Sequence, residues 1–114
     1  KKCRAMILLD MVGDKDLTIT IPKGCTKSLI DRTLRLAQEN GLGSRFRVFE
    51  SDMIDDHVPF LERGVPAIDL IDFNYGPGNA FWHTTQDSLD KISAQSIKTV
   101  ADFAFGLYWD IAED

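Results

Sequence analysis

The chain has 114 residues, a net charge of −5 and a pI near 4.9. That length holds one domain, and the acidic balance excludes the basic footprint of a nucleic-acid binder. An apolar fraction of 44% suits a buried core, no Lys/Arg cluster points to an anionic membrane surface, and the longest apolar run falls far short of the ~18–20 residues that span a bilayer.

The chain starts at Lys1 with no leader and enters a strand-like run almost at once, so it reads as a piece of a longer chain. Residues 4–12 (R-A-M-I-L-L-D-M-V) form a near-continuous apolar run, expected as a strand covered on both faces. Asp10 interrupts it near its carboxyl end, where ligands bind in open α/β sheets. Position alone does not separate that role from a plain lead into the turn at Gly13. Residues 17–21 alternate apolar and Thr, predicting a half-exposed strand antiparallel to the run before it.

Thr26 or Ser28 caps a predicted helix that continues to Asn40, with Gly41 as its stop. Its face of Leu29, Ile30, Leu34 and Ala37 packs on a sheet, and no chemistry is assigned to it. Residues 45–49 read as a strand. An acidic loop follows, then Asp56 as N-cap of a short helix over 58–63 that Gly64 ends. Residues 65–71 form a central apolar strand punctuated by Asp69 and Asp72. The connection 72–90 is rich in Gly, Pro, Asn and aromatics, and so long a loop is usually functional or mobile. Ser93 caps the last helix, whose Ile97, Val100, Ala101, Ala104, Leu107, Tyr108 and Ile111 repeat at helical spacing. Its Phe and Trp residues read as core or edge packing. Strands alternating with helices argue an α/β layer with a mostly parallel sheet.

Candidate chemistry resides in Asp10, Asp55, Asp56, His57 and His83. Imidazole and carboxylate are zinc donors, and His83 ends a long loop after a central strand. No G-x-S-x-G elbow, P-loop, G-x-G-x-x-G fingerprint or H-E-x-x-H motif is present. Cys3 and Cys25 are not in a zinc-ribbon spacing. A single possible pair is no disulfide framework, so free thiols are the simpler expectation.

The segments D-D-H-V-P-F-L-E-R-G-V-P-A-I-D-L-I and F-W-H-T-T-Q-D-S-L-D-K-I-S, with L-L-D-M-V-G upstream, resemble the C-terminal half of the zinc-dependent exopeptidase superfamily. That group holds the di-zinc aminopeptidases of metallopeptidase family twenty-eight and the glutaminyl-peptide cyclotransferases. The resemblance covers residues 5–111. It implies part of a three-layer α/β/α sandwich with a mostly parallel mixed sheet, residues 1–114 being the C-terminal portion of one domain.

Carried residue by residue, the resemblance makes His83 the last zinc ligand. Asp10 becomes a ligand of a second zinc in an aminopeptidase, or a member of a proton-transfer network in a one-zinc cyclase. Asp55 is that network's second acid, and Trp82, with Phe81 beside it, walls the substrate pocket. D-D-H and W-H-T tilt the reading toward cyclisation of N-terminal Gln to pyroglutamate. A di-zinc aminopeptidase and a non-catalytic peptide-binding module are the alternatives. The implied partners are a peptide or protein N-terminus and the rest of the domain, which must supply the other zinc ligands and the general base. The piece alone is expected to be inactive, and the family's setting is secreted or periplasmic.

Overall fold

The computed structural model describes residues 2–114. In chain order its elements are β1 (Met6–Asp10), β2 (Ile19–Ile21), α1 (Lys27–Glu39), β3 (Phe46–Val48), α2 (Val58–Glu62), β4 (Ala67–Ile71) and α3 (Ala94–Ala112). β1 and β4 pair in parallel, from Met6 opposite Ala67 to Asp10 opposite Ile71. β2 and β3 also pair in parallel, from Ile19 opposite Phe46 to Ile21 opposite Val48.

The two pairs meet along β4 and β2. The Thr20 hydroxyl donates to the Ile71 carbonyl at 2.9 Å and accepts the Phe73 N–H at 3.0 Å. The Ala67 N–H donates to the Thr26 hydroxyl at 3.0 Å. Among the described residues the strands pair as two parallel two-stranded sheets, β1-β4 and β2-β3, which the Thr20 hydroxyl ties together. This corrects the expectation that residues 17–21 pair antiparallel with β1, because β1 pairs with β4 and β2 with β3. It also corrects their predicted half-exposure, since β2 is wholly buried and its Thr20 hydroxyl bridges two backbones.

The core gathers Leu17, Ile19, Ile21 and Phe46 of the β2–β3 side with Ile68 and Leu70 of β4. Leu29, Ile30 and Ala37 of α1 and Val100, Phe103 and Leu107 of α3 close it. Phe46 and Phe103 touch ring to ring, with centroids 4.5 Å apart. Ser93 accepts the Ser96 N–H as a side-chain cap on α3. The inward face of α3 is Ser96, Val100, Phe103 and Leu107, rotated from the predicted stripe, so Ile97 and Tyr108 lie 46% and 55% exposed. Phe105 and Trp109 are exposed as well.

β4 is buried at all five positions. β1, expected to be covered on both faces, is only half-buried, because β4 covers one of its edges and no described strand covers the other. Cys25 is buried and Cys3 exposed, and both are free. Among the described residues no helix is long and apolar enough to cross a membrane.

Candidate active site at the carboxyl ends of β1 and β4

Asp10 is the last residue of β1, and Met11 turns the chain sharply away with a left-handed φ of 52°. Such a conformation costs a non-glycine residue about 1 kcal/mol or more and concentrates at functional turns. Asp55 enters from the loop before α2. Its Oδ1 accepts the Asp56 N–H at 2.8 Å, and its carbonyl accepts the Val58 N–H that opens the helix. The predicted N-cap Asp56 is displaced by one residue: His57 occupies that position and makes no side-chain cap. Asp69 lies in the middle of β4, opposite Leu8 in the parallel register, and is fully buried.

These three carboxyls form one network. Asp55 and Asp69 bring carboxylate oxygens within 4.8 Å of each other, and Asp55 raises the proton affinity of both Asp69 and Asp10. Carboxylates cannot share a site with all of them charged, so protons collect on some of them. Burial, then the Asp55 carboxylate beside it, pushes Asp69 up to about 9. Burial and Asp55 also raise Asp10. Asp55 moves the other way, held below the usual range by the protons its neighbours donate and by the Asp56 N–H, although its own burial opposes this. Asp55 Oδ2 and both oxygens of Asp69 are buried without a hydrogen-bond partner; a proton shared between the two acids would satisfy them, because a protonated carboxyl donates where a carboxylate only accepts.

One member of this cluster was not foreseen from the sequence, and another was a candidate without a role. Asp69 was read as punctuation of an apolar strand. An acid inside such a run had nowhere to go except the interior, where it must be neutral or paired. His57 was not assigned a role; its ring is fully buried and its Nδ1 lies 3.4 Å from Asp69 Oδ2.

A cavity of about 310 Å³ opens beside Asp10 and is lined also by Met11, Asp14, Tyr75, Trp82 and His83. His83 adopts a left-handed φ of 54°, and its ring stacks on Trp82 at 4.1 Å. Trp82 in turn meets Phe73 edge-on at 4.9 Å. Phe81 packs edge-on against Tyr75 at 5.3 Å and lines the neighbouring cavity, below Lys91. The loop holding these residues is braced from within. Tyr75 donates its hydroxyl to Asp87 at 2.7 Å, and its N–H goes to Asn79 Oδ1 at 2.9 Å. Gly76, at φ 78° and ψ 171°, occupies backbone space that only glycine reaches readily.

A second pair of acids ties this loop to the turn after β1. Asp72 accepts the N–H groups of Thr18 and Asn74 and is in hydrogen-bond contact with Asp14. Burial, then the bond to Asp14, pushes Asp72 up to about 7.

A catalytic zinc takes three protein ligands and an open position. His83 offers an exposed imidazole to the cavity that Asp10 shares. Among the described residues, the one group of three metal-donor side chains with converging atoms is Asp55, His57 and Asp69, which excludes His83. His83 shares its cavity with Asp10 and stands apart from that donor group, so a zinc held through it would need further ligands from outside the described residues.

A family model described as Peptidase family M28 matches residues 1–107. Glutaminyl-peptide cyclotransferases of Bothrops jararaca and Boiga irregularis are 29% and 27% identical over 107 residues, covering 83% of this chain. The chain spans 28% of the length of these curated relatives. A solved structure of an Acidobacteriales bacterium glutaminyl cyclase superposes with a TM-score of 0.86 at 37% identity, covering 95% of this chain and 39% of that one. A Porphyromonas gingivalis glutaminyl cyclase superposes with a TM-score of 0.82 at 29% identity, covering 96% and 41%.

Proposed function

From the premise that this chain belongs to peptidase family M28, we propose that it is the C-terminal portion of a glutaminyl-peptide cyclotransferase domain, which converts an N-terminal glutaminyl residue to pyroglutamate. The observation that carries this reading is the acid cluster beside the His83 cavity: Asp10 lines that cavity, and Asp55 and Asp69 bring carboxylate oxygens within 4.8 Å of each other. In this reading Asp10 belongs to the proton network; as a ligand of a second zinc it would instead be ionised and turned to the metal.

Cyclisation needs a proton moved across a short distance. The α-amino nitrogen bonds to Cδ of the γ-carboxamide, the bond from Cδ to the amide nitrogen breaks, and ammonia leaves. One proton lost by the attacking amine is gained by the leaving nitrogen. In our reading Asp55, the charged centre of the network, takes up that proton with Asp10 as the member facing the cavity, and the network returns it to the leaving group. Asp69 stores a proton behind Asp55 and lies too deep to meet substrate. Trp82 covers the glutaminyl side chain and fixes the ring of His83. Zinc, when bound through His83 and donors supplied elsewhere in the full domain, would polarise the γ-carbonyl. In this reading the substrate is a free peptide or protein N-terminus, and the setting is secreted or periplasmic.

The deciding experiment assays the full-length protein on a glutaminyl peptide and on an aminoacyl-nitroanilide, with zinc content measured in parallel. Ammonia release with about one zinc per chain supports the proposal. Nitroaniline release with about two zincs overturns it and returns Asp10 to a metal. No turnover on either substrate, with all metal ligands present upstream, would leave a peptide-binding module.

A further inference from the structure

We propose that His57 is a positioning residue for the acid network, donating a hydrogen bond from Nδ1 to Asp69 Oδ2 and so leaving Asp69 Oδ1 to carry the proton shared with Asp55. The kinetic consequence rests on the cyclotransferase reading; the hydrogen bond itself does not.

The argument begins with burial. His57 stands just before α2 and its side chain is fully enclosed. A buried polar ring must find a partner or bear the full loss of its hydration. Neither ring nitrogen makes a hydrogen bond that meets ordinary geometry, and Asp69 Oδ2 lies 3.4 Å from Nδ1. That separation is a few tenths of an ångström longer than a typical N–H···O bond, as catalytic bonds often are before substrate arrives.

The tautomer follows. With the proton on Nδ1, the bare atom is Nε2, an acceptor. With the proton on Nε2, an N–H donor would be buried without a partner, the rarer condition in folded proteins. The Nδ1–H form also gives Asp69 the donor that its Oδ2 otherwise lacks.

The choice of oxygen matters to the network. A neutral carboxyl can place its proton on either oxygen, and the two placements donate in different directions. An N–H pointing at Oδ2 makes a proton there unfavourable, so Oδ1 carries it. His57 thereby holds Asp69 in the donating form without touching substrate. The chain secures the pair by short means: twelve residues separate His57 from Asp69, and the turn at Gly64 (φ 76°) returns α2 to the start of β4.

The test uses the full-length protein. His57→Leu keeps the bulk and removes the donor, and should lower kcat roughly 10–100-fold with KM unchanged, the range seen when a buried orienting partner is lost. His57→Asn puts an amide N–H near the Nδ1 position and should restore most of the rate. His57→Leu combined with Asp69→Asn should lose no more than Asp69→Asn alone, because the two act as one unit. Equal losses in His57→Leu and His57→Asn, or fully multiplicative losses in the double variant, would show plain packing and overturn the proposal.

A second measurement is independent of turnover. In ¹⁵N-histidine spectra of the unmutated protein, the His57 resonance, identified by its loss in His57→Asn, should report Nδ1 protonated and Nε2 bare, and should move in Asp69→Asn. A proton on Nε2 instead sinks the proposal even if cyclisation is confirmed. A cobalt(II)-induced shift of the same resonance would also sink it, since Asp55, His57 and Asp69 would then hold a metal at Nδ1. An enzyme that hydrolyses without cyclising would defeat the cyclotransferase reading alone, and the spectrum would still decide the role of His57.

Discussion

Asp55 and Asp69 bring carboxylate oxygens within 4.8 Å of each other, and Asp55 is pushed toward charge while Asp69 and Asp10 are pushed toward neutrality. Three acids from a strand end, a loop and a strand interior thus behave as one proton-holding unit. Asp69→Asn should remove its stored proton while preserving the donor and the shape of the neutral acid. We expect kcat of the full-length protein to fall by ~10²-fold or more, in line with general acid–base contributions, with the fold intact by circular dichroism. Undiminished turnover in that variant would exclude Asp69 from the relay.

The pH profile of turnover should be bell-shaped. The attacking amine must be uncharged, so the rate rises through the range of a peptide α-amino group, about 7.7–8.0. Asp69 must keep its proton, so the rate falls as pH passes about 9. Asp69→Asn should lose that alkaline limb. A limb unchanged in the variant would assign it to another group.

Stability should depend on pH through the same acid, with a definite sign. Asp69 is raised from 3.8 to about 9 in the folded state, so the native chain binds the extra proton between those values. Its stabilising contribution is complete below about pH 4 and is lost as pH rises through about 9. Asp55, lowered on folding, acts oppositely and only at acid pH, where protonating it removes stability. Thermal unfolding should therefore show the melting temperature of the unmutated protein dropping toward pH 9, and Asp69→Asn should flatten that drop.

Trp82 and His83 form a stacked pair on a loop, and truncating the tryptophan should free the imidazole. An aromatic stack contributes about 0.5–1.5 kcal/mol beyond area, so Trp82→Ala should raise KM roughly 2–10-fold, more still if substrate packs on the indole. His83→Ala should instead reduce the zinc content of the purified full-length protein, measured by elemental analysis, with turnover falling in step. Full zinc occupancy in His83→Ala would remove His83 from the metal shell.

The same loop depends on Gly76. A Cβ there would lie 2.7 Å from the Phe81 ring, on a backbone with φ 78°. Gly76→Ala should destabilise the loop by roughly 1–3 kcal/mol, the usual range for strain in sparsely populated backbone regions. Calorimetry on the variant reads the loss, and an unchanged melting temperature would show the loop to be loose.

Much of the chain was legible before any coordinates. Helical spacing located α1 and α3, and apolar runs located β1 and β4, because 3.6-residue and two-residue periods are local properties of the chain. The end of β1 marked Asp10, and the D-D-H and F-W-H segments marked Asp55 and His83 through resemblance to a family. Tertiary structure decided the rest. Strand pairing is not local: β1 pairs with β4, far along the chain, and β2 with β3, so a presumed hairpin does not form and a strand read as half-exposed is buried. The inward stripe of α3 depends on what Phe46 presents to Phe103, and periodicity alone fixes only that a stripe exists. Asp69 became visible as chemistry, and His57 gained its partner, only when folding brought a loop, a helix start and a strand interior together. A carboxyl's tendency to hold a proton is set by its burial and its neighbours' charges, and both belong to the folded state.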